Sequence, residues 1–195
     1  MSIDKEQQNT ILQFLNDVLR KKRLRGTAYL FGGSSLISQD LLGRTTEDID
    51  LFLILKQDSQ ETIELIRSEV AKAFGVEIDI GLRGEFPIVG KNFTWVLPET
   101  AYGRAIQRAT YSNLIVYALH PLDIAILKCD RLNDQDQEDL QIIFRSLHIS
   151  REQLIKTFEE YHARLKGNTT SIENIRENFY QLTLTIYDIV MNKKT

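Results

Sequence analysis

Cysteine occurs once in this 195-residue chain, tryptophan once, and histidine and proline three times each. A single Cys129 excludes an internal disulfide and any multi-cysteine zinc site, and its apolar neighbours are those of a buried, inert thiol in a reducing, cytoplasmic setting. His120, His148 and His162 have no metal-ligand spacing, and read as one helix-leading residue and two helix-surface residues. No apolar run approaches the ~18 residues of a membrane span, and the opening MSIDKEQQNT carries no secretory core, so a soluble chain without a membrane partner is expected. Excess positive charge is missing too. With 24 basic and 27 acidic residues the net charge is −3, which argues against a protein that coats nucleic acid. The local cluster Lys21-Lys22-Arg23-Leu24-Arg25 fits a solvated helix end better than a nucleic-acid contact. There is also no Gly-x-x-x-x-Gly-Lys loop, no Gly-x-Gly-x-x-Gly, no His-Glu-x-x-His and no nucleophile elbow.

What is present describes a folded globular chain, at 43% hydrophobic and 26% charged residues. Three- and four-residue steps through Ile11, Leu12, Phe14, Leu15, Val18 and Leu19 predict a helix from Asp4 to about Arg23, ended by Gly26. Strands are expected at Ala28 to Phe31, Asp48 to Leu55, Val76 to Leu82 and Leu114 to Leu119, with a short one at Phe93 to Val96. Helices are expected at Ser34 to Leu42, with Gly43 as its stop, and at Ser59 to Phe74 through Ile63, Leu65, Ile66, Val70 and Phe74. Arg83 to Leu97 is otherwise loop. After Pro121 everything is helical: 122–132, a polar loop at 133–135, 136–146, 151–166 and 171–191, the last two joined by a Gly167-Asn168-Thr169 turn. The fold class is α/β (α+β), a mixed sheet flanked by helices in residues 1–120 followed by an all-helical region in residues 121–195.

The stretch FGGSSLISQDLLGRTTEDIDLFL, Phe31 to Leu53, places two carboxylates in an apolar strand, where unpaired acids are costly. Residues two apart on a strand share a face, so Asp48 and Asp50 project together with Cα atoms ~6.6 Å apart. A hard divalent ion would offset the cost of grouping them, and Mg²⁺ completes its shell with water and phosphate oxygens. Gly32, Gly33 and Ser34 form a strand-to-helix turn that lets backbone approach a phosphate, with the N–H groups of the helix start facing it. Taken alone, the turn is most simply structural. Glu77 and Asp79 share one face of the third strand, and either could supply a third carboxylate or be plain solvent-facing polarity.

The glycine-glycine-serine turn, the short helix and Arg44-Thr45-Thr46-Glu47-Asp48-Ile49-Asp50 together resemble the signature of the DNA polymerase β-like nucleotidyltransferases. The arginine-threonine lead-in is similar to the AbiEii-type abortive-infection toxin branch. His120-Pro121-Leu122-Asp123-Ile124-Ala125-Ile126-Leu127-Lys128 resembles that branch's lysine-bearing helix, and Asp136-Gln137-Glu138-Asp139-Leu140 its acidic helix start, although Gln135 stands where the branch has lysine. The resemblance covers about Ala28 to Phe144, and its specific part is the glycine turn with the Asp-x-Asp.

That resemblance implies a nucleotidyltransferase-like mixed sheet and transfer of a nucleoside monophosphate from a nucleoside triphosphate such as ATP, with Mg²⁺ or Mn²⁺. Asp48 and Asp50 would bind metal, and Asp79, favoured over Glu77, would be the third catalytic acid. Gly32, Gly33 and Ser34 would cradle the triphosphate, and Lys128 would contact phosphate. Asp136 and Asp139 would order the lysine or the acceptor. Taken by themselves, Lys128 is a surface lysine and Asp136 and Asp139 complement a helix dipole. The acceptor could be tRNA or another RNA, a protein hydroxyl or a small molecule, with Arg104, Arg108 and the Lys21 cluster as places for nucleic acid to touch. A cognate antitoxin is an implied partner. Two other functions compete: a catalytically silent binding module on the same fold, which would have no need of two acids on one strand, and a metal-dependent phosphohydrolase, which would add histidine ligands.

Overall fold

The computed structural model describes residues 3–56, 60–82, 88–89, 95–166 and 169–193. The chain divides into two compact units, one of Met1–Phe86 with Ala105–Leu119, the other of Pro87–Arg104 with His120–Thr195. The stretch before residue 105 thus groups with the helical C-terminal part. Among the described residues no helix is long and apolar enough to cross a membrane.

The first unit opens with helix α1, Lys5–Lys21. Its start is set by a capping box: the Asp4 carboxylate accepts from the Gln7 N–H at 2.8 Å, and the Gln7 side chain accepts from the Asp4 N–H at 3.0 Å. Glycine does not end it. Arg23 takes the left-handed conformation (φ 56°) and the Leu24 N–H bonds back to the Leu19 carbonyl at 2.9 Å, while Gly26 begins the first strand. A methyl group at Gly26 would lie 2.8 Å from Leu53 Cδ1, so glycine is there for interstrand packing.

Strands β1 (Gly26–Leu30), β2 (Leu51–Leu55), β3 (Asp79–Leu82), and two strands that follow in the chain, Ile106–Thr110 and Leu114–Ala118, make one mixed sheet. In chain order the short strands Ile88–Val89 and Trp95–Val96 of the second unit are β4 and β5, so the last two are β6 and β7. Sheet order is β3-β2-β1-β7-β6, with β1 antiparallel to β2 and parallel to β7, β2 parallel to β3, and β6 antiparallel to β7. Alternation does the sorting: Ala28, Leu30, Leu51, Leu53, Leu55, Leu114, Val116 and Ala118 are buried in one core with Ile11, Leu15 and Leu19 of α1. Ile63, Ile66 and Val70 of α3 (Gln60–Phe74) join the same core. Leu65, expected inward, is 49% exposed.

Three expectations shift here. Helix α2 runs Gly32–Ser38, so both glycines lie inside its first turn; it stops at Asp40, left-handed at φ 60°, with the Leu41 N–H returning to the Leu36 carbonyl. Gly43 is not its stop. Strand β3 starts at Asp79, paired with Phe52 of β2, although Val76 and Ile78 are buried and Glu77 is exposed as the alternation requires. Asp48 and Asp50 lie in the segment that feeds β2, whose pairing with β1 begins at Leu51 opposite Leu30. Strand β6 had no visible pattern, since as an edge strand four of its five side chains are exposed.

In the second unit β4 and β5 pair antiparallel; Phe93, Ser59, Gly167 and Asn168, which figured in the sequence expectations, lie outside the described residues. The helices are α4 (Glu99–Arg104), α5 (Pro121–Leu127) continued by a 3₁₀ turn at Lys128–Asp130, α6 (Asp134–Ser146), α7 (Arg151–His162), and α8 (Thr169–Glu177) running through a π-helical turn at Asn178–Thr183 into α9 (Leu184–Asn192). Pro121 is at the first helical position behind His120, whose Nδ1 accepts from the Leu122 N–H at 3.2 Å. The expected loop at 133–135 is a cap: Asn133 and Asp136 form a capping box. Phe158 and Phe179 stack at 3.8 Å, and Phe144 meets Tyr187 edge-on at 5.3 Å, so these rings pack within the chain. The fully buried Asp123 accepts two bonds from Arg104 (2.6 and 3.1 Å) and one from the buried Tyr161 hydroxyl at 2.9 Å, tying α4, α5 and α7 together.

Candidate active site

The site is built where β1 turns into α2 beside the segment entering β2. Phe31, the last extended residue, donates its N–H to the Asp50 carbonyl at 3.0 Å, which brings the Asp50 side chain against the glycines. Gly33 then donates its N–H to Asp50 Oδ2 at 3.1 Å. Gly32 is left-handed (φ +51°), and a methyl group there would stand 2.1 Å from the same oxygen. Only glycine satisfies both the conformation and the space. At Gly33 the nearest atom to an added methyl is Thr46 Oγ1 at 3.5 Å, an ordinary contact. The two glycines therefore have different reasons to be there.

Ser34 is fully buried, and its hydroxyl accepts from the Asp50 N–H at 3.0 Å and donates to the Asp48 carbonyl at 3.5 Å. It fastens the two-aspartate segment to α2 and has its hydrogen-bonding capacity directed inward. Asp48 and Asp50 flank the buried Ile49; Asp50 is half-buried, while Asp48 is exposed and its carboxylate has no partner among the described residues. Asp79 opens β3 in register with Phe52, two residues beyond Asp50, on the adjacent parallel strand.

The donor set is of the right kind for a hard cation. The Asp50 carboxylate at the glycine turn and the Asp48 carboxylate two residues before it suit Mg²⁺ or Mn²⁺, ions that bind few protein oxygens and take the rest from water and phosphate. Among the described residues no three histidines, cysteines or acids are grouped to hold an ion by themselves, and the three histidines stand apart from the site in role: His120 caps α5, His148 is exposed between α6 and α7, where a helix surface was expected, and His162 ends α7 against Phe158.

The downstream residues are in the second unit, and there the structure changes their meaning. Lys128 is no surface lysine. It is 9% exposed and its ammonium bonds Asp136 at 2.8 Å and Asp139 at 2.7 Å, each carboxylate 1% exposed. Arg131 adds two bonds to Asp136 at 2.8 and 2.9 Å. Burial pushes the Asp136 carboxyl up, but the bonds from Arg131 and Lys128 outweigh it and hold the group below its ordinary range. Asp136 and Asp139 both hold the Lys128 ammonium. Arg104 and Arg108, expected as nucleic-acid contacts, are likewise engaged: Arg104 with Asp123, and Arg108 with the Ser38 carbonyl at the end of α2, at 2.6 Å.

Two residues escaped sequence reasoning. The Ile3 N–H donates to the Thr46 carbonyl at 2.7 Å and the Thr46 N–H to the Ile3 carbonyl at 3.0 Å, so the start of the chain is bridged to the lead-in of the Asp-x-Asp. The Ile3 side chain is fully buried in the first unit's core. Thr46 could have been suspected from its place in that lead-in; nothing local marks Ile3.

Residues 7–173 match the family described as nucleotidyltransferases of unknown function (DUF6036), and the chain belongs to that family. The match is at the level of nucleotidyltransferases and names no abortive-infection branch. Among solved structures the chain is similar to an antigenic nucleotidyltransferase-like protein from Paracoccidioides brasiliensis, with 12% identity and a TM-score of 0.47 over 98% of this chain and 95% of that one. No curated protein matches the sequence.

Proposed function

We propose that this member of the nucleotidyltransferase family binds a nucleoside triphosphate at the Gly32–Asp50 corner, with Mg²⁺ or Mn²⁺, and transfers its nucleoside monophosphate to a hydroxyl acceptor. One observation carries the proposal: the Asp50 carboxylate sits against Gly32 and accepts the Gly33 N–H, so that acid and glycine turn form one corner. Asp48 and Asp50 would hold the ion, which when bound neutralises phosphate charge and favours in-line displacement at the α-phosphorus. The glycine turn would cradle the triphosphate, and Ser34 holds the backbone of both aspartates from behind. Asp79 is proposed to take the proton of the attacking hydroxyl. The acceptor oxygen then bonds to the α-phosphorus, the bond from that phosphorus to the bridging oxygen breaks, and pyrophosphate leaves with its electron pair.

Catalysis on this scheme is positioning plus charge neutralisation. Lys128, held by two buried acids, sets the geometry of its own unit. The acceptor classes are RNA, including tRNA, a protein hydroxyl, or a small molecule. The Arg44 to Asp48 lead-in supports the narrower proposal of an abortive-infection toxin held in check by a partner protein.

The test is thermal unfolding with each of the four nucleoside triphosphates, with and without Mg²⁺, for the wild type and Asp50→Asn. Ligand at ~100 times its dissociation constant stabilises the folded state by ~2.7 kcal/mol. A Mg²⁺-dependent rise that Asp50→Asn abolishes supports the transferase; no rise with any nucleotide in folded wild-type protein favours the silent module instead.

A further inference from the structure

Four hydroxyls lie on α2 or beside its glycine turn, and three are spent inside the fold. Ser34 bonds the backbone of Asp50 and Asp48, the Ser35 hydroxyl donates to the Leu119 carbonyl at 2.7 Å, and the Ser38 hydroxyl donates to the Ser35 carbonyl at 2.7 Å. Thr46 is the exception. Its side chain is half-buried, its oxygen lies 3.5 Å from where a Gly33 methyl would be, and among the described residues its hydroxyl has no hydrogen-bond partner.

Its backbone, in contrast, is fixed. The paired bonds to Ile3 hold Thr46 from both sides, the Ile3 side chain is anchored in the core, and Asp4, the next residue, caps α1. A polar group held firmly in place, left without a partner and facing the glycine turn beside Asp50 is placed for a ligand.

We infer that Thr46 is a substrate-binding residue whose hydroxyl donates a hydrogen bond to a phosphate oxygen of the nucleotide, and that Ile3 is the positioning residue that holds it over Gly33. This rests on the proposed nucleotide site. A threonine suits the role because β-branching restricts its side-chain rotamer, so the oxygen stays aimed at the turn. Valine keeps the shape and removes the donor; serine keeps the donor.

The experiment is calorimetric titration of the full chain with Mg²⁺ and its preferred nucleoside triphosphate, and with the corresponding nucleoside lacking phosphates. Thr46→Val should weaken the triphosphate by roughly tenfold or more, the worth of a hydrogen bond to a charged group, with Thr46→Ser restoring most of it. Nucleoside affinity and the melting temperature without ligand should not change, since the hydroxyl has no described partner to lose. If Ile3 acts through Thr46, Ile3→Ala will lower triphosphate affinity in the wild type and have no further effect in Thr46→Val. Equal triphosphate affinity in wild type and Thr46→Val overturns the inference and leaves the nucleotide site standing. Wild-type protein that binds no triphosphate overturns both.

Discussion

Replacing Lys128 by methionine separates the role implied by family resemblance from the one the geometry supports. In the folded chain the ammonium is 9% exposed and lies between two carboxylates that are each 1% exposed, at 2.8 Å from Asp136 and 2.7 Å from Asp139. Removing one partner of a buried ion pair costs ~3–5 kcal/mol, mostly through the charge left behind. Asp136 keeps both bonds from Arg131 and one from the Asn133 N–H, so the lower end, ~3 kcal/mol, applies. For a chain of this length that is a fall of ~6–12 °C in melting temperature. Urea unfolding followed by far-UV circular dichroism measures it directly, and Lys128→Met combined with Asp139→Asn should recover part of it by removing one of the two buried carboxylate charges. Lys128→Met with wild-type stability and weakened triphosphate binding would refute the structural assignment and restore the phosphate contact.

Other outcomes follow from the same geometry. Gly32→Ala should lose ~1–2 kcal/mol from left-handed backbone alone and displace the Asp50 carboxylate as well, whereas Gly33→Ala should unfold within ~0.5 kcal/mol of wild type; comparable losses at both positions in urea melts would contradict the corner as described. Burial pushes the Cys129 thiol up to about 12, so the native protein should leave a disulfide reagent unreacted at pH 8 and release one thiol on unfolding; rapid native labelling would show otherwise. The Asp136 carboxyl is held below its ordinary value of 3.8, so its stabilisation is complete above that pH and is lost as pH falls through the depressed folded value. Arg131→Ala should therefore flatten the acid limb of stability against pH, and an unchanged limb would remove Asp136 from the account.

How much of this was legible in the sequence depended on whether the deciding contact was local. Helix α1, strands β1, β2 and β7 and the helical character after Pro121 followed from periodicity, because each buries one continuous face. Helix ends were misplaced where Arg23 and Asp40 take the left-handed conformation usually given to glycine, with the closing bond returning five residues to Leu19 and to Leu36. Strand β6 has no alternation to read, since an edge strand with mostly exposed side chains answers to its neighbour's backbone alone. The burial of Lys128 was not legible because the span from 128 to 136 and 139 conveys proximity along the chain and says nothing of exposure.

The glycine turn and the Asp-x-Asp illustrate the limit most directly. Their types and spacing suggest a phosphate and metal site, and the family resemblance implies that both glycines and Ser34 cradle the triphosphate. In the fold Gly32 makes room for Asp50, Ser34 holds the two-aspartate segment from the inside, and Gly33 offers its N–H to the acid with Thr46 as its nearest side chain. A substitution at Gly32 or Ser34 would therefore impair nucleotide binding by moving Asp50, and stability would fall with it. A substitution at Thr46 would impair binding with stability intact. Measuring affinity and unfolding together on these variants is what distinguishes a residue that builds the corner from one that meets the substrate.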